Sequence, residues 1–272
     1  MITHTRRSTD SPLFAALQSI SDSHQRDFVA GECARVLVER LFSGQKHKVP
    51  GVRFSVAYAM AEGKTGGDIV DVFQCSDDRV SFGVADIAGK GRHVAAHAAL
   101  IKYGLRAYYT LGISSDEVVR RLNRLYLEDC AFEKTIDSFA SLFFGVVHRA
   151  RRVLHYTSAG HEAAVIAHPD GTVRALEPTA PIIGVFDDSP TLFSEATVQV
   201  DPGSVLVVTT DGITEARRAN GELYGMQRLR ETIRRHRNKP EEAIVEALLR
   251  DAEDFAGGVR RDDIAILVNR FL

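Results

Sequence analysis

The chain has 272 residues, 44% of them hydrophobic and 26% charged, an ordinary balance for a globular protein with a buried core. Its formal net charge of -2 gives no overall attraction to nucleic acid or to an anionic membrane. No stretch approaches the roughly 20 apolar residues that span a bilayer, and no hydrophobic leader follows Arg6-Arg7. We therefore expect a cytoplasmic protein that binds neither nucleic acid nor membrane.

The three cysteines are too few and too scattered to organise the fold. Cys33, Cys75 and Cys130 are odd in number and lack the spacing of zinc ligands. They are predicted to be reduced thiols.

Residues 1–50 are predicted to form a polar tail and a helical segment that precede the main domain at 51–272. Apolar residues recur at helical spacing from Ser23 to Phe42, and Gly44 ends the pattern. Two interpretations stay open: the apolar stripe packs on the main domain, or it packs on a second copy of itself in a homodimer. The segment is thus a candidate dimerisation or regulatory connector.

From residue 51 the pattern becomes that of strands broken by pairs of helices. The predicted order is strands over 52–60, 69–75 and 79–86, helices over 92–109 and 115–129, strands over 139–149, 152–158, 163–168, 172–176, 191–200 and 204–210, helices over 225–235 and 240–255, and a strand over 264–271. The second group of strands is predicted to form sequential hairpins, with the strands over 191–200 and 204–210 continuing the same sheet. Because strands and helices do not alternate strictly, the class is predicted to be α+β with mainly antiparallel sheets.

Four aspartates lie where an apolar, strand-like run meets a glycine or a second acidic residue: Asp68, Asp86, Asp211 and Asp262. A single aspartate in such a place is usually a turn residue. Four carboxylates that converge from strand ends would instead form a hard, oxygen-rich pocket suited to Mg²⁺ or Mn²⁺.

The residues around these aspartates form five blocks in a fixed order. They are Gly66-Gly67-Asp68-x-x-Asp71, Val84-Ala85-Asp86-x-x-Gly89-Lys90-Gly91, Ser158-Ala159-Gly160-His161, Thr210-Asp211-Gly212-x-x-Glu215-Ala216 with Gly221-Glu222-x-Tyr224-Gly225, and Asp262-Asp263. Over residues 50–272 this pattern resembles the SpoIIE/RsbU-type bacterial serine phosphatases, which belong to the metal-dependent protein phosphatase superfamily.

The resemblance implies an α-β-β-α sandwich, in which two mainly antiparallel sheets are flanked by helix pairs, and a site with two Mn²⁺ or Mg²⁺ ions. On this sequence it implies that Asp86 bridges both ions and that the backbone carbonyl of Ile87 helps to hold one of them. It assigns Asp211 and Asp262 to the other ion, and Asp68 to a metal directly or through water. Asp86 and Asp211 are the residues expected to matter most for catalysis.

Asp71 and Asp263 are the second members of acidic pairs. They are predicted either to orient the ligands from behind or to be solvated charges at strand ends, and the sequence leaves both interpretations open.

The resemblance also implies an activity, namely hydrolysis of phosphoserine on a signalling protein of the anti-anti-sigma type, in a stress response under an activating protein. Phosphate monoesters hydrolyse very slowly in water, so the site must supply a strong nucleophile and must neutralise charge. Two cations can do both, and no cysteine nucleophile is needed. The helices over 92–109 and 115–129 follow the Asp86 loop directly, and we hypothesise that they act as a regulatory lever on the site.

Some positions depart from the pattern of the family. Ala88 stands where animal relatives carry a histidine proposed as general acid, so that role is unassigned; of the neighbours Lys90 and His93, His93 is expected at a solvated helix start. His161 is predicted to have a structural hydrogen-bonding role. Ala265 replaces the threonine that many members carry, which removes a hydroxyl but no carboxylate.

Two other functions are alternatives. One is a catalytically weak pseudophosphatase that regulates by binding partners, which the full set of aspartates opposes. The other is a diguanylate cyclase, because Gly66-Gly67-Asp68 superficially matches the hairpin motif of those enzymes; Ile69-Val70 lacks its second acidic residue, and a motif without its context is weak.

Overall fold

The computed structural model describes residues 49–59, 67–89, 92–133, 138–162 and 164–272. The polar tail and the apolar stripe over 23–42 lie outside the described residues, as do Gly66 and Lys90. The boundary at residue 50 and the connector or homodimer role of the stripe therefore stay predictions.

Within the described ranges, ten strands form two antiparallel sheets of five. Sheet one has the order β1 (Val52–Ala59), β10 (Ile264–Phe271), β9 (Val205–Thr209), β6 (Ala164–Ala167) and β7 (Val173–Leu176). Sheet two has the order β2 (Ile69–Ser76), β3 (Arg79–Ala88), β4 (Phe139–His148), β5 (Val153–Ala159) and β8 (Ala196–Gln199).

Two pairs of long helices cover the sheets. They are α1 (Arg92–Tyr109) and α2 (Ser115–Glu133) on sheet two, and α4 (Gly225–His236) and α5 (Glu241–Phe255) on sheet one. A one-turn helix, α3 (Asp211–Thr214), follows β9, and a short 3-10 helix spans Pro190–Leu192.

Three apolar layers hold these elements together. Phe82 and Phe143 of sheet two meet Leu206 and Leu267 of sheet one in the layer between the sheets. A second layer lies between sheet two and the helices α1 and α2, and a third lies between sheet one and the helices α4 and α5. Because each sheet buries both faces, its strands are apolar nearly throughout. The architecture is an α-β-β-α sandwich, which confirms the predicted fold class.

Several boundaries differ from the prediction in ways that affect the site. β3 continues two residues past Asp86, because Asp86 and Ile87 pair with Ser141 and Ala140 of β4. Asp211 does not close a strand, since it begins α3 directly after Thr210.

The predicted sequence of hairpins is also wrong after β5. The chain leaves sheet two at Gly160, whose φ of +59° is accessible to glycine, and β6 joins sheet one. The predicted strand over 191–200 shrinks to β8, because Pro190 begins a 3-10 turn, and β8 and β9 belong to different sheets.

None of the helices in the described ranges combines the length and the apolar character that crossing a bilayer requires. Cys75 and Cys130 are both free thiols.

Candidate metal centre

The four predicted ligand aspartates lie at one edge of the sandwich, two from each sheet. Asp68 precedes β2 and Asp86 lies near the end of β3; Asp211 follows β9 and Asp262 precedes β10. Ile69 pairs with Ala85, so the next position of that register places Asp68 opposite Asp86. In sheet one, the Thr210 N–H donates to the carbonyl of Ala265 at 3.1 Å, which brings the start of α3 beside the start of β10.

The hydroxyl of Thr210 links the two sheets at this edge. Its Oγ1 donates to Asp68 Oδ2 at 2.7 Å and accepts the Ala265 N–H at 2.9 Å. Because both bonds are buried, a single side chain fixes the position of Asp68 relative to β9 and β10.

Two glycines allow the backbone to close around the site. A Cβ on Gly67 would lie 2.5 Å from the carbonyl oxygen of Ile87, and a Cβ on Gly212 would lie 2.0 Å from that of Asp263. No side chain tolerates such contacts, so glycine is required at both positions. The Ile87 carbonyl, a predicted metal ligand, is thus held beside the Gly67-Asp68 segment.

The carboxylates at this edge repel one another. Burial, together with the charges of Asp86, Asp263 and Asp211, raises the pKa of Asp68 from 3.8 to about 8, while the Thr210 hydroxyl opposes the shift. Burial and the charges of Asp86 and Glu215 likewise raise the pKa of Asp211 to about 6. No basic side chain is among the main causes of either shift.

Asp86 and Asp211 line one cavity of about 310 Å³. Glu162 and Glu215 line it as well, and Phe139 and Ile182 contribute apolar wall. We call it the carboxylate cavity. Asp262 lines a neighbouring groove, and Asp68, only 6% exposed, is buried behind the cavity.

His161 also lines the carboxylate cavity. Its Nδ1 lies 2.8 Å from Ser141 Oγ of β4, whereas its buried Nε2 has no hydrogen-bond partner among the described residues. Burial lowers the pKa of His161 to about 4, opposed by the backbone of Thr209, so the ring is neutral at neutral pH. This geometry fits the structural role predicted for His161, while His93 is exposed on α1 and does not line the cavity.

The two acidic residues of uncertain role lie in different surroundings. Asp263 is buried near Asp68, and its backbone N–H donates to Asp262 Oδ1 at 2.9 Å. Asp71 is buried in β2, where it accepts two hydrogen bonds of 2.7 Å from Arg106 of α1. Asp71 therefore ties α1 to sheet two, and Asp263 remains the better placed to orient a ligand.

The chemistry of this edge fits hard cations. Aspartate carboxylates and a backbone carbonyl are the donors that Mg²⁺ and Mn²⁺ prefer, and positive charge would relieve the repulsion that raises the pKa values. Within the described residues, no three His, Cys, Asp or Glu side chains converge closely enough to hold an ion as they stand. The carboxylates would therefore have to draw together around a bound cation.

Sequence reasoning assigned no role to three contributors to this site: Thr210, Glu162 and Ser141. Thr210 belongs to one of the quoted blocks and Glu162 directly follows another, and these positions were their only signal. Thr214 Oγ1 donates to Glu162 Oε2 at 2.6 Å, so Glu162 is held towards α3. Their roles depend on which strands pair across the edge, and no local pattern encodes that.

The fold and the acidic edge define a class of protein, the four-layer α-β-β-α domains of the PP2C type. The SiaA-PP2C domain of Pseudomonas aeruginosa superposes with a TM-score of 0.73 at 20% identity, over 92% of this chain and 99% of that one. At this level of identity the likeness establishes the fold alone. A family model described as Stage II sporulation protein E (SpoIIE) matches residues 76–272, and the chain belongs to that family.

Two relatives are similar in sequence. The protein IcfG of Synechocystis sp. (strain ATCC 27184 / PCC 6803 / Kazusa) is 30% identical over 190 residues, which cover 61% of this chain and 30% of that protein. The phosphoserine phosphatase RsbU of Bacillus subtilis (strain 168) is 28% identical over 149 residues, 54% of this chain and 42% of RsbU. The chain thus spans less than half the length of either relative.

Proposed function

We propose that this chain is a metal-dependent protein phosphatase that hydrolyses phosphoserine on a signalling protein. One observation carries the proposal: carboxylates from both sheets meet at one edge, where burial and their mutual repulsion raise the pKa of Asp68 and of Asp211. A fold gains nothing from such an arrangement unless a cation completes it. Membership of the SpoIIE family supports the same activity.

We assign two Mn²⁺ or Mg²⁺ ions to this edge, held by Asp68, Asp86, Asp211, Asp262 and the Ile87 carbonyl. When bound, such ions lower the pKa of a water molecule towards neutrality and attract the phosphoryl oxygens. Asp86 and Asp211 are the ligands that face the carboxylate cavity, where a phosphoserine side chain would enter. Thr210 keeps Asp68 in place behind them, and Phe139 and Ile182 exclude water from one wall.

We propose a phosphorylated protein of the anti-anti-sigma type as the substrate, with an activating protein acting on the enzyme. The relation to RsbU, a phosphoserine phosphatase, supports phosphoserine as the reacting group. The decisive experiment incubates the full chain with candidate phosphorylated domains, with and without Mn²⁺, and follows the loss of phosphate by intact mass. We expect phosphate loss only in the presence of the metal.

The same assay separates catalysis from partner binding alone. Turnover of p-nitrophenyl phosphate that depends on Mn²⁺ and stops with EDTA is the result we expect. Binding of a partner without turnover, even in excess Mn²⁺, would instead favour the pseudophosphatase.

A further inference from the structure

A groove of about 240 Å³ opens beside the carboxylate cavity. It lies between the turn after α3, the C-terminal end of α5 and the segment that leads into β10, and its rim carries Arg217, Arg260 and Arg261. We call it the arginine groove. The metal ligands do not account for it, since Asp262 is the only one of them that lines it.

Two of its three arginines have no side-chain partner among the described residues. Arg217 and Arg261 are exposed, and neither makes a hydrogen bond or an ion pair within the described part of the chain. Arg260, in contrast, is ion-paired with Glu253 at the end of α5. A guanidinium group presents its donors in a planar fork that matches a carboxylate. The rim therefore offers two guanidinium groups to an anion from outside the chain.

The floor of the groove is apolar and made of small side chains. Ala216, Ala252 and Ala256 line it, and Val259 is 57% exposed at its edge. Small side chains leave room for an extended backbone to approach. The floor thus suits a peptide segment better than a compact inorganic anion.

The arginine groove and the carboxylate cavity adjoin each other, because Glu215 lines both. Asp211 lies on the cavity side of this boundary and Asp262 on the groove side. A phosphoserine that reached Asp86 and Asp211 would therefore place one of its flanking segments in the groove.

We infer that the arginine groove binds the substrate segment next to the phosphoserine and selects an acidic side chain there through Arg217 and Arg261. The inference rests on the proposed phosphatase activity and adds a substrate preference to it. Both arginines lie on the rim, where one charge pair is worth at most about a fivefold change in affinity. We therefore expect a preference of about fivefold to tenfold in kcat/KM.

The test compares phosphoserine peptides of equal length in the presence of Mn²⁺. One carries Asp and Glu on the N-terminal side of the phosphoserine, one carries them on the C-terminal side, and each has a counterpart with Asn and Gln. The quantity measured is the ratio of kcat/KM between an acidic peptide and its amide counterpart, so a general loss of activity cancels. We expect one acidic peptide to be favoured by the wild type, and the R217Q/R261Q variant to bring that ratio close to one.

Arg151→Gln is the matched control. Arg151 is an exposed arginine in the turn after β4, at the opposite end of that strand from Ser141 and the carboxylate cavity, and it should keep the full preference. A wild type without preference for either acidic peptide overturns the inference, and so does a preference that survives in R217Q/R261Q. Turnover of p-nitrophenyl phosphate separates the two proposals, because its absence from the wild type refutes the phosphatase itself.

Discussion

Asp68 directly precedes β2 and Asp71 lies within it, and both are almost fully buried, yet the fold surrounds them with opposite charges. Asp71 lies against the basic side chains of α1, with Arg106 forming two hydrogen bonds and Lys102 Nζ at 3.9 Å. Asp68 lies among Asp86, Asp211 and Asp263, and it accepts a hydrogen bond from the hydroxyl of Thr210.

The difference separates a structural carboxylate from a candidate metal ligand. Burying a carboxylate costs several kcal/mol unless a positive charge compensates it. Removing the partner of a buried ion pair lowers the stability of the fold by about 3 kcal/mol or more. At Asp71 the chain supplies that charge from α1. At Asp68 the described residues supply more negative charge, which a proton or a bound cation would compensate.

The largest effect should follow from removing a carboxylate of the cavity itself. Asp86→Asn and Asp211→Asn each delete a ligand charge, and we expect kcat/KM for p-nitrophenyl phosphate with Mn²⁺ to fall about 1,000-fold. The melting temperature should hold or rise, because repulsion is relieved. Asp77→Asn, in the exposed turn between β2 and β3, is the control and should keep full activity. Near-normal turnover in either cavity variant would refute the assignment.

The same substitution should have opposite effects on stability at Asp68 and at Asp71. Asp71→Asn removes the carboxylate charge that Arg106 and Lys102 face, and we expect it to lower the free energy of unfolding by about 3 kcal/mol. Asp68→Asn removes an uncompensated charge, and in the metal-free protein at pH 9 we expect a gain of about 2 kcal/mol. Urea unfolding in EDTA measures both. A loss of stability at both positions would show that Asp68 is structural as well.

The pH dependence of stability offers a test without the need for mutation. Because the pKa of Asp68 rises from 3.8 to about 8 on folding, the folded protein keeps a proton that the unfolded chain has released. Asp211, with a pKa of about 6, acts in the same direction. The stability that these protons provide is complete below about pH 4 and is lost as the pH rises through 8.

We therefore expect the urea midpoint of the metal-free protein to fall between pH 5 and 9. Asp68→Asn should flatten the decline, and excess Mn²⁺ should remove it by supplying positive charge in place of the protons. A midpoint that rises over this range in EDTA would contradict the proposed role of Asp68.

A smaller effect on stability and turnover is expected from a substitution that disturbs the close backbone packing at the site and leaves its charges unchanged. In Gly212→Ala the new Cβ would lie 2.0 Å from the Asp263 carbonyl oxygen, so β10 must shift away from α3. We expect a loss of about 2 kcal/mol together with a loss of turnover. Gly112→Ala is the matched comparison, since its φ of +72° costs about 1 kcal/mol while no atom lies within 4 Å of the new Cβ, and activity should survive.

The sequence predicted which aspartates lie near the site. It did not predict which of them has a structural role and which is a candidate metal ligand. Asp68 and Asp71 occupy one motif, and nothing local separates them. What distinguishes Asp71 is Arg106, 35 positions along the chain, whose side chain reaches β2 only because α1 packs on sheet two. The switch between sheets at Gly160 escaped prediction for a similar reason, since a turn signal does not say which sheet the next strand joins.

Thr210 links the two sheets at the edge that carries the aspartates, and its hydroxyl can be removed with little change in the shape of the side chain. Thr210→Val leaves the buried Ala265 N–H without an acceptor and Asp68 without its donor, which should lower the free energy of unfolding by about 1 to 2 kcal/mol. We expect turnover with Mn²⁺ to fall about tenfold, since residues that orient ligands typically contribute that much. Thr210→Ser retains the hydroxyl, so recovery of activity in the serine variant but not in the valine variant would assign the effect to these two hydrogen bonds. A loss of activity in the serine variant but not in the valine variant would assign the effect to packing of the threonine methyl group, and burial alone would then fix the position of Asp68.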